Sequence, residues 1–239
     1  MVTLRLCKGN HLVFQNEQNV LRITCLTFNP FQENTYVLSD ATGECIIIDP
    51  GCSSSDENAE LEQYIRLHHL KPVMLVQTHC HIDHVLGNHF VFDKWGLAPV
   101  CHQLELPLLE GVVDFGRMFG VKVMPSPLPL RFIDEGDEIR FGETVLKVLF
   151  TPGHSPGSVC LYNEQERVVI AGDVLFRDSI GRYDLPGGDF ATLENSIRTK
   201  LYTLDPSVKV WPGHGPSTTI GYEMKNNPFV NGIVATGNL

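Results

Sequence analysis

Apolar residues along this chain come in two rhythms. Short apolar runs, each closed by glycine, proline or aspartate, predict strands over residues 20–28, 34–38 and 44–49, the last ended by the turn Asp49-Pro50-Gly51. The same signal predicts strands at 73–77, 99–101, 131–133, 138–141, 144–150, 158–162, 167–171 and 208–211. The second rhythm is helical. Over 56–70, Leu61, Tyr64, Ile65 and His68 fall on one face, and Lys71-Pro72 ends the helix. Residues 84–95 read as a helix and 105–120 as helical with breaks. In 190–204, Leu193, Ile197 and Leu201 repeat at helical spacing. Phe115, Met118 and Phe119 read as core. Strands and helices are mixed in order, without linker, repeat or low-complexity stretch. This predicts a single domain over 1–239, built of sheets covered by helices.

Composition narrows the picture. A chain of 239 residues that is 43% hydrophobic can bury one sizeable core. The formal charge of −10, with no basic stripe, argues against a nucleic-acid partner. No apolar run is long enough to span a membrane, so no membrane partner is expected. Residues 1–15 lack the apolar core and small-residue cleavage site of a secretory signal. The seven cysteines form no framework pattern, which predicts reduced thiols and a cytoplasmic location.

The chemistry concentrates where apolar strands end. Thr78-His79-Cys80-His81-Ile82-Asp83-His84 directly follows Val73-Met74-Leu75-Val76. A strand turns alternate side chains the same way, so His79 and His81 can face one ion while Cys80 points elsewhere. Asp83 and His84, beyond the bend, can reach a second ion. Thr151-Pro152-Gly153-His154-Ser155-Pro156-Gly157 and Trp211-Pro212-Gly213-His214-Gly215-Pro216 each hold a histidine in a stiff turn after a strand, and Ile170-Ala171-Gly172-Asp173 ends a strand on a carboxylate. The heptapeptide points to a metal site by itself, whereas a histidine in a Pro/Gly turn could be surface decoration and a strand-ending aspartate an ordinary turn residue. Together they predict a metal site, and imidazole with carboxylate suits zinc, iron or manganese at a centre with an open position.

In this order the motifs resemble the metallo-β-lactamase fold superfamily, from about residue 23 to 229. The resemblance implies an α+β fold, a four-layer αβ/βα sandwich with the metals at the edge between two sheets. It implies that His79, His81 and His154 hold one divalent ion and that Asp83, His84 and His214 hold the other. Asp173 bridges them together with a water or hydroxide. Zinc is the expected metal, with iron or manganese as alternatives. Within the superfamily, Gly181-Arg182-Tyr183-Asp184-Leu185-Pro186-Gly187-Gly188-Asp189, Pro-Gly-His-Gly-Pro at 212–216 and Asn227-Pro228-Phe229 are similar to glyoxalase II and its shorter bacterial relatives. That similarity implies hydrolysis of S-acyl glutathione or a related small-molecule thioester, with Asp83 and Asp173 as the catalytic carboxylates.

Arg182 and Tyr183 are candidate substrate contacts, although Arg182 could equally pair with Asp184 or Asp178. Full-length glyoxalase II adds a helical domain that contacts glutathione. This chain ends 25 residues after His214, so a weak hold on glutathione is expected. A thioester suits a centre without a general acid, because thiolate leaves unprotonated whereas an amide nitrogen needs a proton. The alternative is a persulfide dioxygenase of the same fold, with a single iron on His79, His154 and Asp173. Those enzymes present their last histidine in an Asp-Tyr context, so Pro-Gly-His-Gly favours the hydrolase. His11, His68, His69 and His102 read as surface or packing residues, and His89 lies too far round its helix to join His84. The oligomeric state is not legible.

Overall fold

The computed structural model describes residues 2–6, 12–16 and 21–232, and their strands assort into two sheets and a small hairpin. The first sheet runs in chain order through β1 (Val2–Leu6), β2 (Leu12–Asn16), β3 (Arg22–Phe28), β4 (Glu33–Ser39), β5 (Glu44–Ile48), β6 (Lys71–Val76), β7 (Pro99–Cys101) and β8 (Arg131–Phe132). Its pairs are antiparallel as far as β5 and parallel beyond it. The remaining strands are β9 (Glu138–Phe141), β10 (Thr144–Phe150), β11 (Val159–Asn163), β12 (Val168–Gly172), β13 (Leu175–Phe176), β14 (Ser179–Ile180), β15 (Lys209–Pro212) and β16 (Thr218–Thr219). The second sheet has the order β16-β15-β12-β11-β10-β9, with β12 and β15 parallel, and β13 pairs with β14.

Burial defines the layers. Ile23, Tyr36, Leu38, Ile46, Ile48 and Val76 of the first sheet meet Ile139, Leu146, Val148, Leu161, Ile170 and Trp211 of the second in one apolar cluster. On the outer face of the first sheet, Val37, Cys45, Ile47 and Leu75 pack under α1 (Ser55–Leu67), and Val91 of a later helix joins them. The outer face of the second sheet packs Val169, Ala171 and Val210 under Leu193, Ile197, Leu201 and Ile220. The result is helix, sheet, sheet, helix: the α+β fold with two mixed sheets that the motifs implied. Among the described residues no cysteine is in a disulfide and no helix is long and apolar enough to cross a membrane.

Departures from the expected elements have local causes. α1 opens with a capping box, Ser54 accepting from the Glu57 N–H and Glu57 accepting in return from the Ser54 N–H. It stops at Leu67, earlier than predicted, because His69 is left-handed (φ 53°) and turns the chain before Lys71-Pro72. The helix expected over 84–95 is two pieces, α2 (Ile82–Val85) and α3 (Asn88–Trp95). Gly87 breaks it: its N–H donates to the Pro50 carbonyl at 2.7 Å, and a Cβ there would lie 2.4 Å from Cys52 Sγ. This contact ties the ligand-bearing turn to the end of β5.

Residues 103–120 form a 3₁₀ turn (Gln103–Glu105), α4 (Leu106–Glu110) and α5 (Val112–Phe119), and Met118, expected in the core, is 78% exposed. α6 (Phe190–Ser196) continues as a π turn over Ile197–Leu201 with the whole predicted stripe buried. α7 (Ile220–Asn226), like β1, β2, β13, β14 and β16, had no counterpart in the sequence reading.

Because the sandwich interior is shared by both sheets, truncating Ile46 or Leu161 to alanine is expected to cost about 2–5 kcal/mol by urea unfolding. Leu130→Ala, at a side chain 92% exposed, is expected to stay within about 0.5 kcal/mol of the parent.

Candidate metal centre

β10, β12 and β15 of the second sheet run the same way, since β10 and β12 both lie antiparallel to β11 and β15 lies parallel to β12. Each ends at one edge of the sandwich on a candidate ligand: His154, Asp173 and His214. The loop after β6 brings His79, His81, Asp83 and His84 to the same edge. All seven predicted ligands therefore meet there.

They divide into two sets. His154 Nε2 lies 2.8 Å from His81 Nδ1 and 3.2 Å from His79 Nε2. On the other side His214 Nε2 is 3.1 Å from Asp83 Oδ2, and His84 Nε2 is 3.8 Å from the same oxygen. Asp173 stands between the sets, Oδ1 3.4 Å from His84 Nε2, and Oδ2 3.6 Å from His154 Nε2 and 3.5 Å from His214 Nε2. Ligands about 2.0–2.1 Å from a tetrahedral ion sit roughly 3.3 Å apart, which is the spacing observed.

Proton placement shows why these atoms are ligands rather than hydrogen-bond partners. His154 Nδ1 donates to the Arg182 carbonyl at 2.7 Å, and His214 Nδ1 faces the Phe31 and Gln32 carbonyls at 3.1 and 3.2 Å. His84 Nδ1 donates to Asp49 Oδ2 at 3.1 Å. The Thr78 hydroxyl also donates to Asp49 Oδ2, so its oxygen is free to accept from His79 Nδ1 at 3.1 Å. In all four rings the proton is held outward and the Nε2 lone pair points inward. His81 is the inverse case and presents Nδ1. A cation between the sets would satisfy these inward-facing nitrogens together. Buried His84 Nε2 and Asp173 Oδ1 have no hydrogen-bond partner, as expected of atoms that bind metal.

Electrostatics agree. Burial, followed by the neighbouring imidazoles, holds His79 well below the ordinary histidine range and His81 at about 3, so both are neutral and able to coordinate. Burial opposes charge on His84 too, but the carboxylates of Asp173 and Asp83 outweigh it and push that imidazole up. Asp173 is itself desolvated, yet His84, His154 and His214 hold it far below the usual carboxylate range. The centre thus sets ionised carboxylates beside His79 and His81, which burial keeps neutral, while at His84 and His214 the carboxylates favour positive charge, the charge a divalent cation would bring.

The backbone makes room for this crowding. A Cβ on Gly213 would lie 2.1 Å from Asp173 Oδ1 and 2.7 Å from His84 Cε1, so only glycine lets the last turn close on the ligands. Asn34 and Tyr36 of β4 donate to the Pro212 carbonyl at 3.0 and 2.6 Å, and Asn34 Nδ2 also reaches the Gly215 carbonyl at 2.9 Å, clamping that turn from the opposite sheet.

Sequence reasoning missed Asp49. It forms a third histidine–carboxylate grouping with His79 and His84, but its oxygens accept from the Thr78 N–H and hydroxyl and from His84 Nδ1, so it orients ligands rather than binding an ion. The available signal was its position at the end of β5, the same logic that singled out Asp173. The substrate candidates lie differently from the ligands. The Arg182 guanidinium pairs bidentately with Asp184, both contacts at 2.9 Å, while the Tyr183 ring packs on Phe190. Cys80 is buried among Val85, Cys101, Leu109 and Val112. His89 pairs with Asp93 at 3.2 Å, and His102 stacks on Phe150. His11 lies outside the described residues.

Comparison with known proteins gives a consistent picture. The profile of the Metallo-beta-lactamase superfamily matches residues 28–214. The probable metallo-hydrolase YqgX of Bacillus subtilis is 41% identical over 207 residues, spanning 85% of this chain and 95% of that protein. Hydroxyacylglutathione hydrolase GloC of Haemophilus influenzae is 36% identical over 217 residues, or 88% and 99% of the two chains. Among solved structures, BLEG-1 B3 metallo-beta-lactamase has a TM-score of 0.80 at 35% identity, covering 87% of this chain and 99% of that one. TTHA1623 in a di-iron-bound form has a TM-score of 0.77 at 40% identity, covering 86% and 98%.

Asp173→Ala, which removes the one side chain shared by both sets, is expected to drop metal content after dialysis below one ion per chain. Gly213→Ala should lower it as well. His89→Ala should match the parent. Elemental analysis of the three proteins checks this; a metal-replete Asp173→Ala or a stripped His89→Ala would refute the assignment.

Proposed function

The chain belongs to the metallo-β-lactamase superfamily and is a metal-dependent hydrolase by that kinship, and we propose that it cleaves thioesters of the glyoxalase II type at a two-ion centre. The observation that carries the reading is the pairing of the two ligand sets through Asp173, which suits two ions rather than one. Zinc is the proposed metal, with iron or manganese compatible with the same donors. Bound divalent ions supply a Lewis acid for the carbonyl and, at neutral pH, hydroxide from water.

The residues supply the rest. His79 and His84 are sealed from solvent, whereas the side chains of His214 and Asp83 are 24% and 14% exposed. His81 is also partly exposed, so the centre opens to solvent along the line of His81, Asp83 and His214, and substrate approaches there. Asp83, on the partly exposed side of the centre, is the carboxylate that orients the attacking water. Asp173 is held ionised by His84, His154 and His214, so it is ready to bind cations. A thiolate leaves without needing a proton from these groups, which favours thioesters over amides. The acidic chain suits a small substrate rather than a nucleic acid, and the cysteines among the described residues, all unpaired, suit the cytoplasm.

The two candidate contacts for a glutathione thiol arm are already partnered, Arg182 with Asp184 and the Tyr183 ring with Phe190, which supports a weak hold on that arm. The zinc-loaded protein is expected to turn over S-lactoylglutathione and the lactoyl thioester of a simple thiol with kcat/KM values within roughly tenfold of each other, a difference of less than about 1.4 kcal/mol in transition-state binding. A much larger preference for the glutathione ester would assign recognition to this domain. Absence of turnover on both, with oxygen uptake on a persulfide, would replace the hydrolase by a mono-iron oxygenase using His79, His154 and Asp173.

A further inference from the structure

Glu105 is a fully buried carboxylate that takes no part in the chemistry described above. It ends the 3₁₀ turn after β7, where His102 Nδ1 caps the turn by accepting from the Leu104 N–H at 3.2 Å. Its two oxygens reach two separate loops. Oε2 accepts from the Cys80 N–H at 2.6 Å, between the ligands His79 and His81. Oε1 accepts from the Gly157 N–H at 2.6 Å and the Ser155 hydroxyl at 2.7 Å, directly after the ligand His154. Gly157 is required for this approach, since a Cβ there would lie 2.9 Å from Glu105 Cγ and 3.0 Å from Oε1.

A buried carboxylate with three short donors is costly to desolvate and is retained only where those donors need it. Here the donors belong to the two loops that carry His79, His81 and His154. We infer that Glu105 is a positioning residue that fixes the separation of these three imidazoles, and so sets the metal affinity of that half of the centre alone. Asp83, His84 and His214 are held by other groups: Asp49 behind His84, and the Phe31 and Gln32 carbonyls behind His214. The inference rests on the two-ion reading, and the test separates the two claims.

The test is chelator competition on single-site proteins. In a His214→Ala background, which leaves the His79–His81–His154 set intact, Glu105→Gln offers only one acceptor oxygen and must release one of the loops. The remaining ion is expected to bind roughly 10–100-fold more weakly, and the cobalt(II) spectrum of that site to change. In a His81→Ala background, which leaves the other set, the same substitution is expected to shift affinity by less than about twofold, as for independent sites. Ser155→Ala removes one donor while keeping the carboxylate, and should give a smaller weakening confined to the first background; it decides the matter if Glu105→Gln does not fold. Equal weakening in both backgrounds, which general destabilisation would produce, or no change in either, overturns the inference. If the unmutated protein binds one ion only, the two-ion reading falls. Glu105→Gln must then still weaken that ion, and an unchanged affinity overturns this inference too.

Discussion

Unshared electron pairs converge at one edge of this sandwich more closely than they would tolerate by themselves. His81 Nδ1, His154 Nε2 and His79 Nε2 face one another within 3.2 Å along the contacts through His154, and two ionised carboxylates stand beside them. The ring protons of His79, His84, His154 and His214 are held on the outward side, so of the five imidazoles only His81 can donate inward, from Nδ1 to His154 Nε2. Positive charge placed between the sets offsets the repulsion that one such hydrogen bond leaves, and the arrangement is intelligible as a metal centre.

The fold exists in a form that can hold such a centre because two sheets supply the ligands jointly. The loop after β6 belongs to one sheet, and the turns after β10, β12 and β15 belong to the other. Cross-links at the edge keep the sheets in step: the Asn34 N–H donates to the Gly213 carbonyl at 2.7 Å, and the Val159 N–H to the Thr78 carbonyl at 2.9 Å. β4 shows the division of labour within one strand. All seven of its residues are buried; Glu33, Asn34 and Thr35 face the centre's supports, while Val37 and Leu38 belong to the apolar layers. Apolar burial sets the sheets, and the polar strand ends carry the chemistry.

The ligands were legible in the sequence because each is local: a histidine or aspartate immediately past an apolar strand, in a turn with its own signature. The strands that carry them and the buried stripe of α6 were legible for the same reason. The supporting residues were not. Glu105 meets Cys80 across 25 residues and Ser155 across 50, and nothing near it in sequence separates it from a surface acid. Asp49 looked like an ordinary turn residue until Thr78 and His84 were seen to converge on it. Two-residue strands such as β13, β14 and β16 carry too little periodicity to detect, and the break between α2 and α3 depends on where Gly87 meets Pro50 and Cys52. Motifs record what binds; the packing that aims them is recorded only in three dimensions.

The chain is similar both to a hydroxyacylglutathione hydrolase and to a B3 metallo-beta-lactamase, so membership of the superfamily does not by itself fix a substrate. Every such reading depends first on the centre itself. Anomalous diffraction from crystals of the zinc-saturated protein tests it most directly. Two peaks roughly 3.5–4 Å apart are expected, one within the His79–His81–His154 set and one within the Asp83–His84–His214 set, with Asp173 between them. A single fully occupied peak at saturating metal would contradict the two-ion reading.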